Sequence, residues 1–218
     1  MGAVSFLHSG QRVYMRTFMM SEEELQARIR SITLPINIQD KTHEPRIRGQ
    51  RPASVLIPFV HRGDDWQVIF TRRPDYLPSH AGQISFPGGR TEAGETPHEG
   101  ALRELHEEIG VPPDQVSLLG RLSSFNAVSE YRVTPYVGII DPSADIIPCE
   151  NEVAEVFELP LSYFLDPANH IERLRTWEGR THTMYDMPWP EPENPKYFIW
   201  GMTAMMLYRL YERGLRCS

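Results

Sequence analysis

The sequence predicts a protein of the α/β class, because stretches typical of strands and of helices are both present along its 218 residues. Apolar runs separated by turn residues indicate strands. Polar capping residues followed by apolar residues at helical spacing indicate helices. A hydrophobic content of 40%, with four Trp and nine Phe, is typical of a folded globular protein. Since no internal repeat is found, one domain is the simplest interpretation.

The N-terminal segment is expected to be poorly ordered, or to precede a later start of translation. Its apolar stretch is too short and too interrupted for a signal peptide. Three methionines precede the sequence Ser21–Glu24, a capping box that predicts a helix to about Ile32. We therefore expect a disordered extension over 1–20 and a single domain over 21–218.

The strand candidates are apolar runs bounded by turn-forming residues. They are Ala53–Val60, Trp66–Thr71, Val116–Leu122, Arg132–Ile140 and Val153–Leu159. The remaining predictions are a short helix from Pro160, a hairpin over 176–181, a proline-rich loop over 187–195 and a terminal helix over 197–213. The aromatic residues of that last helix, Trp200 among them, are expected to belong to the core.

The clearest helix prediction begins after Thr96, which can cap it together with Glu99 in a capping box. Pro97 suits the first turn, and Gly110 predicts the end of the helix. Within this helix Glu104 and Glu108 are one turn apart on a single face, and Glu107 lies beside them.

Three carboxylates on one arc oppose helix formation unless positive charge offsets them. A divalent cation is the obvious candidate, because hard carboxylate oxygens bind such ions well. The alternative is a solvated acidic helix face, which most charge runs are.

The segment Gly89–Val111 reads GRTEAGETPHEGALRELHEEIGV. It matches the Nudix box, Gly-x5-Glu-x7-Arg-Glu-U-x-Glu-Glu-x-Gly-U with U aliphatic, at every fixed position. Chance would produce such a match on the order of once in 10⁹ windows. The chain therefore resembles the Nudix hydrolases, and the resemblance implies a Nudix fold, an α/β/α sandwich with a mixed, curved β-sheet and a loop–helix–loop site.

The resemblance also implies a role for each charged residue of the box. Glu104, Glu107 and Glu108 would hold Mg²⁺ or Mn²⁺, with Glu104 and Glu108 ranked first as ligands. Arg103 would fix the rotamer of a glutamate, and Glu95 could bind an outer-shell water. Gly89 would let the backbone turn beside the ion and could offer its carbonyl.

A second signature lies upstream, where Thr71, Arg73, Gly82 and Phe86 resemble the pattern of coenzyme A diphosphatases. The implied reaction releases 4′-phosphopantetheine, or its acyl form, and adenosine 3′,5′-bisphosphate. Two places depart from the pattern, since Pro74 replaces a small residue and Pro78 replaces an arginine. Proline cannot donate a charged hydrogen bond, so any contact of that arginine is absent or relocated.

Other residues near these motifs are candidates for binding the substrate or accepting a proton. Arg73 would contact substrate, unless it pairs with Glu92 or Asp75. Arg72 and His80 could replace the missing arginine, while Gly82 could serve only backbone shape. Glu152 is a candidate catalytic base beside Glu104, although a solvated edge residue is the favoured explanation.

Two other functions stay open. One is hydrolysis of another nucleoside diphosphate derivative, such as ADP-ribose or NADH. Pro74 and Pro78, which depart from the coenzyme A signature, are the residues that support this alternative. The other is a Nudix-fold module that senses a nucleotide without hydrolysing it, which the complete set of box carboxylates disfavours.

The composition of the chain limits which binding partners and which cellular compartment are expected. The formal charge of −7 disfavours binding to nucleic acid. No apolar run is long enough to span a membrane. Two distant cysteines form neither a metal-ligand spacing nor a disulfide framework, so a reducing cytoplasm fits. A small-molecule substrate is the expected partner, and a homodimer is left open.

Overall fold

The fold is known from a computed structural model, which describes residues 20–38, 49–76, 80–127, 130–177 and 179–216. The predicted extension over residues 1–20 lies almost wholly outside these ranges, as does Pro78.

Four helices and eleven strands form the described part of the chain. In chain order they are α1 Glu22–Ile32, β1 Arg51–Arg62, β2 Asp65–Arg72, β3 Ile84–Ser85, β4 Gly88–Arg90, α2 Pro97–Ile109, β5 Val116–Arg121, β6 Phe125–Asn126, β7 Tyr131–Ile140, β8 Glu155–Pro160, α3 Leu161–Leu165, β9 Ile171–Trp177, β10 Arg180–Trp189, β11 Tyr197–Ile199 and α4 Gly201–Glu212.

Eight strands form a mixed sheet whose path runs β3–β2–β1–β7–β5. Strands β1 and β7 are parallel, with Leu56 opposite Tyr136, while β2 and β4 pair with β1 in the antiparallel sense. Strand β8 pairs with β2 and β6 with β7, both antiparallel. A separate antiparallel sheet has the order β11–β10–β9. The mixed sheet confirms the predicted α/β class.

Apolar side chains leave both faces of the large sheet, because successive residues of a strand point to opposite sides. On one face, Ile69 and Leu56 pack against Leu105 and Ile109 of α2. On the other, Phe70 lies in a larger cluster. That cluster also takes buried side chains from three helices, α1, α3 and α4. Helices thus cover both faces, as an α/β/α sandwich requires.

The region after residue 186 differs from the prediction. Strand β10 continues to Trp189, so the expected loop over 187–195 is shorter at its start, and Met187 pairs with Ile199. Residues 197–199 are a strand, and the terminal helix begins only at Gly201. The expectation that Trp200 is a core residue is wrong: its side chain is 47% exposed. It precedes α4 in an extended conformation, on the outward side of the chain.

Candidate active site

The site begins with the way α2 is anchored to the sheet. The side chain of Thr96 accepts a hydrogen bond from the backbone N–H of Glu99, and the Glu99 carboxylate accepts one from the N–H of Thr96 at 2.7 Å. This is the predicted capping box. At the other end Gly110 adopts φ +77°, a left-handed conformation that ends the helix. Strand β4 pairs with β1 and lies beside α2, so the box residues of β4 and α2 meet at one place.

Glu108 is the buried carboxylate of the site. The backbone N–H of Gly88 donates a hydrogen bond to it, and Thr71 Oγ1 lies 3.5 Å from its Oε2. Burial raises the pKa of Glu108 to about 8, and repulsion from Glu104 and Glu152 adds to the shift. The hydrogen bond from Gly88 and the positive charge of Arg73 oppose it. The charged form of Glu108 is therefore disfavoured in the absence of a cation.

Glu104 lies next to this group and directly over β4. A Cβ added to Gly89 would clash with the Glu104 carboxylate, so any other residue there would displace that side chain. Burial raises the pKa of Glu104, and the charges of Glu107 and Glu152 raise it further, although its hydrogen bond to Arg103 acts in the opposite direction. Glycine at position 89 thus permits a close approach of carboxylate and backbone, as the sequence predicted.

Arg103 holds several of the surrounding carboxylates in place. Its guanidinium donates two hydrogen bonds to Glu95, at 2.9 and 3.1 Å, and one to Glu104 at 3.0 Å. It also donates to Glu107 at 2.7 Å and to the carbonyl of Arg90 at 2.9 Å. The contact with Arg103 holds the pKa of Glu95 below its ordinary value. Arg103 therefore contacts three carboxylates at once, and its role in fixing a glutamate rotamer stays a prediction.

Glu107 shares the Nη1 group of Arg103 with Glu104 but is much more exposed. Its side chain is 48% exposed and contacts Arg103. Within the described ranges, no three His, Cys, Asp or Glu side chains form a preassembled ligand set. The two groups that face each other are Glu104 and Glu108, which are also the two that the sequence ranked first.

Glu152 reaches the site from a different segment. The backbone N–H groups of Ile147 and Cys149 donate to the carbonyls of Ile109 and Glu108, at 2.8 and 2.9 Å, so this segment is fixed to the last turn of α2. The negative charge of Glu152 contributes to the raised pKa of both Glu104 and Glu108. Glu152 is exposed, and it is near enough to the site for its charge to act on both carboxyls.

Of the two arginines after β2, Arg73 is the one near the carboxylates. Its backbone N–H donates to the carbonyl of Gln83, and its charge lowers the pKa of Glu108. Its Nε is buried and has no hydrogen-bond partner in the described part of the chain. The pairing with Asp75 that the sequence left open is made by Arg72 instead.

The other candidates for substrate contact lie apart from the carboxylates. Arg72 forms ion pairs with Asp75 at 3.2 Å and Glu155 at 3.4 Å. His80 is exposed, with φ +58°. Gly82 has φ +66°, and a Cβ there would lie 2.7 Å from Asp75 Oδ1, so this glycine serves backbone shape.

Sequence reasoning assigned no role to two groups that contact Glu108. One is the hydroxyl of Thr71, and the other is the backbone N–H of Gly88, whose φ is +157°. Both were visible in the sequence, since Thr71 matches the upstream signature and Gly88 precedes the box. The contact of Gly88 with Glu108 depends on the pairing of β4 with β1, which is a non-local contact.

Comparison with known proteins decides the family. The family model of the NUDIX domain matches residues 50–179, which is more than half of the chain. The chain belongs to the Nudix family. It is 38% identical over 170 residues to a protein from Salmonella paratyphi B named an uncharacterized Nudix hydrolase NudL, covering 78% of this chain and 84% of the relative. A relative with the same name from Enterobacter sp. is 36% identical over 165 residues, covering 75% of this chain and 83% of the relative.

Solved structures agree on the fold. A MutT/nudix family protein from Enterococcus faecalis superimposes with a TM-score of 0.50 at 15% identity, covering 89% of this chain and 74% of that one. The protein is thus a Nudix hydrolase, an enzyme that acts on pyrophosphate bonds of nucleoside diphosphate derivatives. Enzymes of this family generally use divalent metal ions. None of the described helices is both long and apolar enough to cross a membrane.

Proposed function

We propose that this Nudix hydrolase cleaves the diphosphate of coenzyme A or of its thioesters, with Mg²⁺ or Mn²⁺ as its metal. The products are 4′-phosphopantetheine, or its acyl form, and adenosine 3′,5′-bisphosphate. The observation that carries the proposal is the position of Arg73. This residue belongs to the coenzyme A signature, and it lies beside Glu108 with a buried Nε that lacks a partner.

A guanidinium group withdrawn from water requires an acceptor, because a buried donor left unpaired costs free energy. Glu108 supplies charge but no hydrogen bond to Arg73 Nε. A phosphate oxygen of the substrate is a suitable acceptor, since guanidinium groups bind phosphate in a forked geometry. Arg73 would then bind one side of the diphosphate while the carboxylates lie on the other.

The carboxylates fit a divalent cation. Glu104 and Glu108 would be its protein ligands, and the uncompensated charge that raises the pKa of both groups is what a cation would neutralise. Two protein ligands suffice for Mg²⁺, which usually keeps several waters and takes the remaining ligands from substrate phosphates. When bound, the ion screens the charge of the diphosphate and lowers the pKa of a water.

The other residues of the site position groups and accept a proton. Arg103 keeps Glu104 turned toward Gly89 through its hydrogen bond, and Glu95 in turn fixes Arg103. The proton released by the attacking water needs a carboxylate acceptor close to the scissile bond. Glu152 and Glu104 are the candidates for this base, since both face Glu108.

A second candidate function keeps the chemistry and changes the substrate to ADP-ribose or NADH. It is favoured by the two departures from the coenzyme A signature, Pro74 and Pro78, because a proline at position 78 cannot donate the charged hydrogen bond of the arginine that the signature has there. A non-catalytic sensing module is disfavoured, because Glu104 and Glu108 are both present and face each other.

The test is product analysis with purified protein, Mg²⁺ and, in separate reactions, coenzyme A, ADP-ribose and NADH. We expect coenzyme A to be the best substrate, with adenosine 3′,5′-bisphosphate appearing stoichiometrically. Absence of coenzyme A turnover, together with rapid cleavage of ADP-ribose or NADH, would reject the substrate assignment. Glu108→Gln is expected to lose most activity while staying folded. A wild type that binds nucleotide but turns over none of the three would indicate a sensing module.

A further inference from the structure

The large sheet splits beside the carboxylate of Glu108. Strand β1 pairs with β2 over its residues 59–62 and with β4 over its residues 53–55, so it changes partner partway along its length. Beyond this point β2 leaves β1 and pairs with β3 instead. The carboxylate of Glu108 lies at the split, because it accepts a hydrogen bond from the backbone of Gly88 in β4 and lies 3.5 Å from the hydroxyl of Thr71 in β2.

The side chain of Thr71 is directed to the face of the sheet that carries α2. Ile69, two positions earlier in β2, packs against α2, and side chains two positions apart in a strand share a face. Thr71 is only 2% exposed, and its Oγ1 lies 3.5 Å from Glu108 Oε2 and 3.4 Å from Ser85 Oγ. Because a hydroxyl can donate one hydrogen bond and accept others, Thr71 can donate to Glu108 while it accepts from Ser85.

Strand β3, which carries Ser85, is fixed by contacts on both of its residues. Ser85 lies opposite Thr71 in the pairing of β3 with β2. The carbonyl of the other residue, Ile84, accepts a hydrogen bond from Thr203 Oγ1 at 3.2 Å, and Thr203 lies in the first turn of α4. A two-residue strand has little pairing of its own, so the bond from α4 helps to hold Ser85 beside Thr71.

We propose that Thr71 is a positioning residue for the metal ligand Glu108. Its hydroxyl donates to Oε2 of the carboxylate and, together with the N–H of Gly88, holds this group in one orientation from both sides of the split. The oxygen lone pairs that the two donors leave free are then available to a divalent cation. Carboxylates that bind metals are commonly hydrogen-bonded in this way, and loss of such a partner typically weakens metal binding about 10–100-fold. The inference rests on the metal site of the proposed function and is independent of the choice of coenzyme A as substrate.

A positioning role for the hydroxyl and a packing role for the side chain of Thr71 predict opposite orders of two variants. Valine has the shape of threonine without its hydroxyl, so Thr71→Val removes the donor and preserves the packing volume. Serine keeps the hydroxyl and loses the methyl group, so Thr71→Ser preserves the donor and leaves a small void. If the hydroxyl positions Glu108, Thr71→Ser binds metal better than Thr71→Val. Thr71→Ala differs from Thr71→Ser only in the hydroxyl, and this pair repeats the comparison if valine impairs folding.

The experiment is titration of the chelator-treated, purified protein with Mn²⁺, in which electron paramagnetic resonance measures the free ion. We expect Thr71→Val to raise the Kd for Mn²⁺ about 10-fold, at the lower end of the usual range because the contact with Glu108 is long. Thr71→Ser should stay within about 3-fold of the wild type. Thr33→Val is the matched control, since the hydroxyl of Thr33 donates to the carbonyl of Ile29 at 2.8 Å, at the end of a helix that packs on the other face of the sheet.

Equal Mn²⁺ affinities of Thr71→Val and Thr33→Val would overturn the positioning role, and so would weaker binding by Thr71→Ser than by Thr71→Val. In steady-state assays Thr71→Val is expected to need about 10-fold more Mn²⁺ for half of its maximal rate, and to recover most of kcat when Mn²⁺ is saturating. A wild type that binds no Mn²⁺ would overturn the metal site and this inference with it. If Mn²⁺ binding depends on the hydroxyl of Thr71 but the wild type does not cleave coenzyme A, only the substrate assignment is refuted.

Discussion

Removing the charge of Glu108 should make the metal-free protein more stable while abolishing its activity. The pKa of this buried carboxyl is about 8 in the folded protein against an ordinary value of 4.5. The unfolded chain therefore loses the proton above pH 4.5, whereas the folded protein keeps it until about pH 8. Because the folded protein binds a proton that the unfolded chain releases, the free energy of unfolding decreases as pH rises between these two values.

The size of the effect follows from the width of that interval. At pH 7 the difference from 4.5 is 2.5 pH units, and at 1.36 kcal/mol per unit it amounts to about 3 kcal/mol. Glu108→Gln removes this term and keeps an oxygen that can accept the hydrogen bond from Gly88. We expect an increase in the unfolding free energy of about 3 kcal/mol at pH 7, or roughly 6–12 °C in Tm. At pH 5 the gain should fall below about 1 kcal/mol.

Urea unfolding with a chelator present, at pH 5 and pH 7, measures the effect. Glu107→Gln is the matched control, because that side chain is exposed and its surface ion pair with Arg103 is worth at most about 1 kcal/mol. Adding Mg²⁺ at pH 7 should stabilise the wild type and leave Glu108→Gln almost unchanged. A gain of equal size at both pH values, or no gain at pH 7, would refute the reasoning.

Three further substitutions test the remaining parts of the site. Gly89→Ala places a methyl group against the Glu104 carboxylate, so we expect kcat to fall at least about 10-fold. Circular dichroism should show that the fold is intact. An unchanged kcat would contradict the close approach of Glu104 to Gly89. Lysine at position 103 cannot reproduce the two hydrogen bonds that Arg103 donates to Glu95, so Arg103→Lys should lower activity about 10–100-fold in steady-state assays. Full activity would show that orientation of the carboxylates by Arg103 is dispensable. Arg73→Gln should raise KM for coenzyme A about 10-fold or more without lowering Tm; an unchanged KM would argue against a phosphate contact.

Much of the fold could be predicted because its signals are local. The capping box at Thr96 and the glycine after Ile109 define α2 within the sequence itself, and β1 and β2 show long apolar runs around a turn. The secondary structure after residue 186 was harder to predict, since the prolines of this region favour a loop. The three residues of β11 are too few for their periodicity to distinguish a strand from the first turn of a helix. They become a strand through pairing with β10.

The sequence predicted the type of chemistry at the candidate site but not which side chains contact one another. The spacing of Glu104 and Glu108 placed both on one face of α2, which the structure bears out. The sequence ranked Glu107 below these two, and its side chain is 48% exposed, against 15% for that of Glu104. It named Arg73 as a substrate contact and Arg72 as a replacement for the missing arginine. Adjacent positions along an extended chain place their side chains on opposite sides, and only Arg73 lies near Glu108.

The hydrogen bonds from Ile147 and Cys149 to the end of α2 have a consequence for how this enzyme can change. They make the helix with its two ligand candidates and the segment with Glu152 one mechanical unit, although about 40 residues separate them in the chain. The proposed substrate contact, Arg73, lies on another element, directly after β2. Replacing residues there can therefore alter what is bound and leave the bond-breaking geometry as it was.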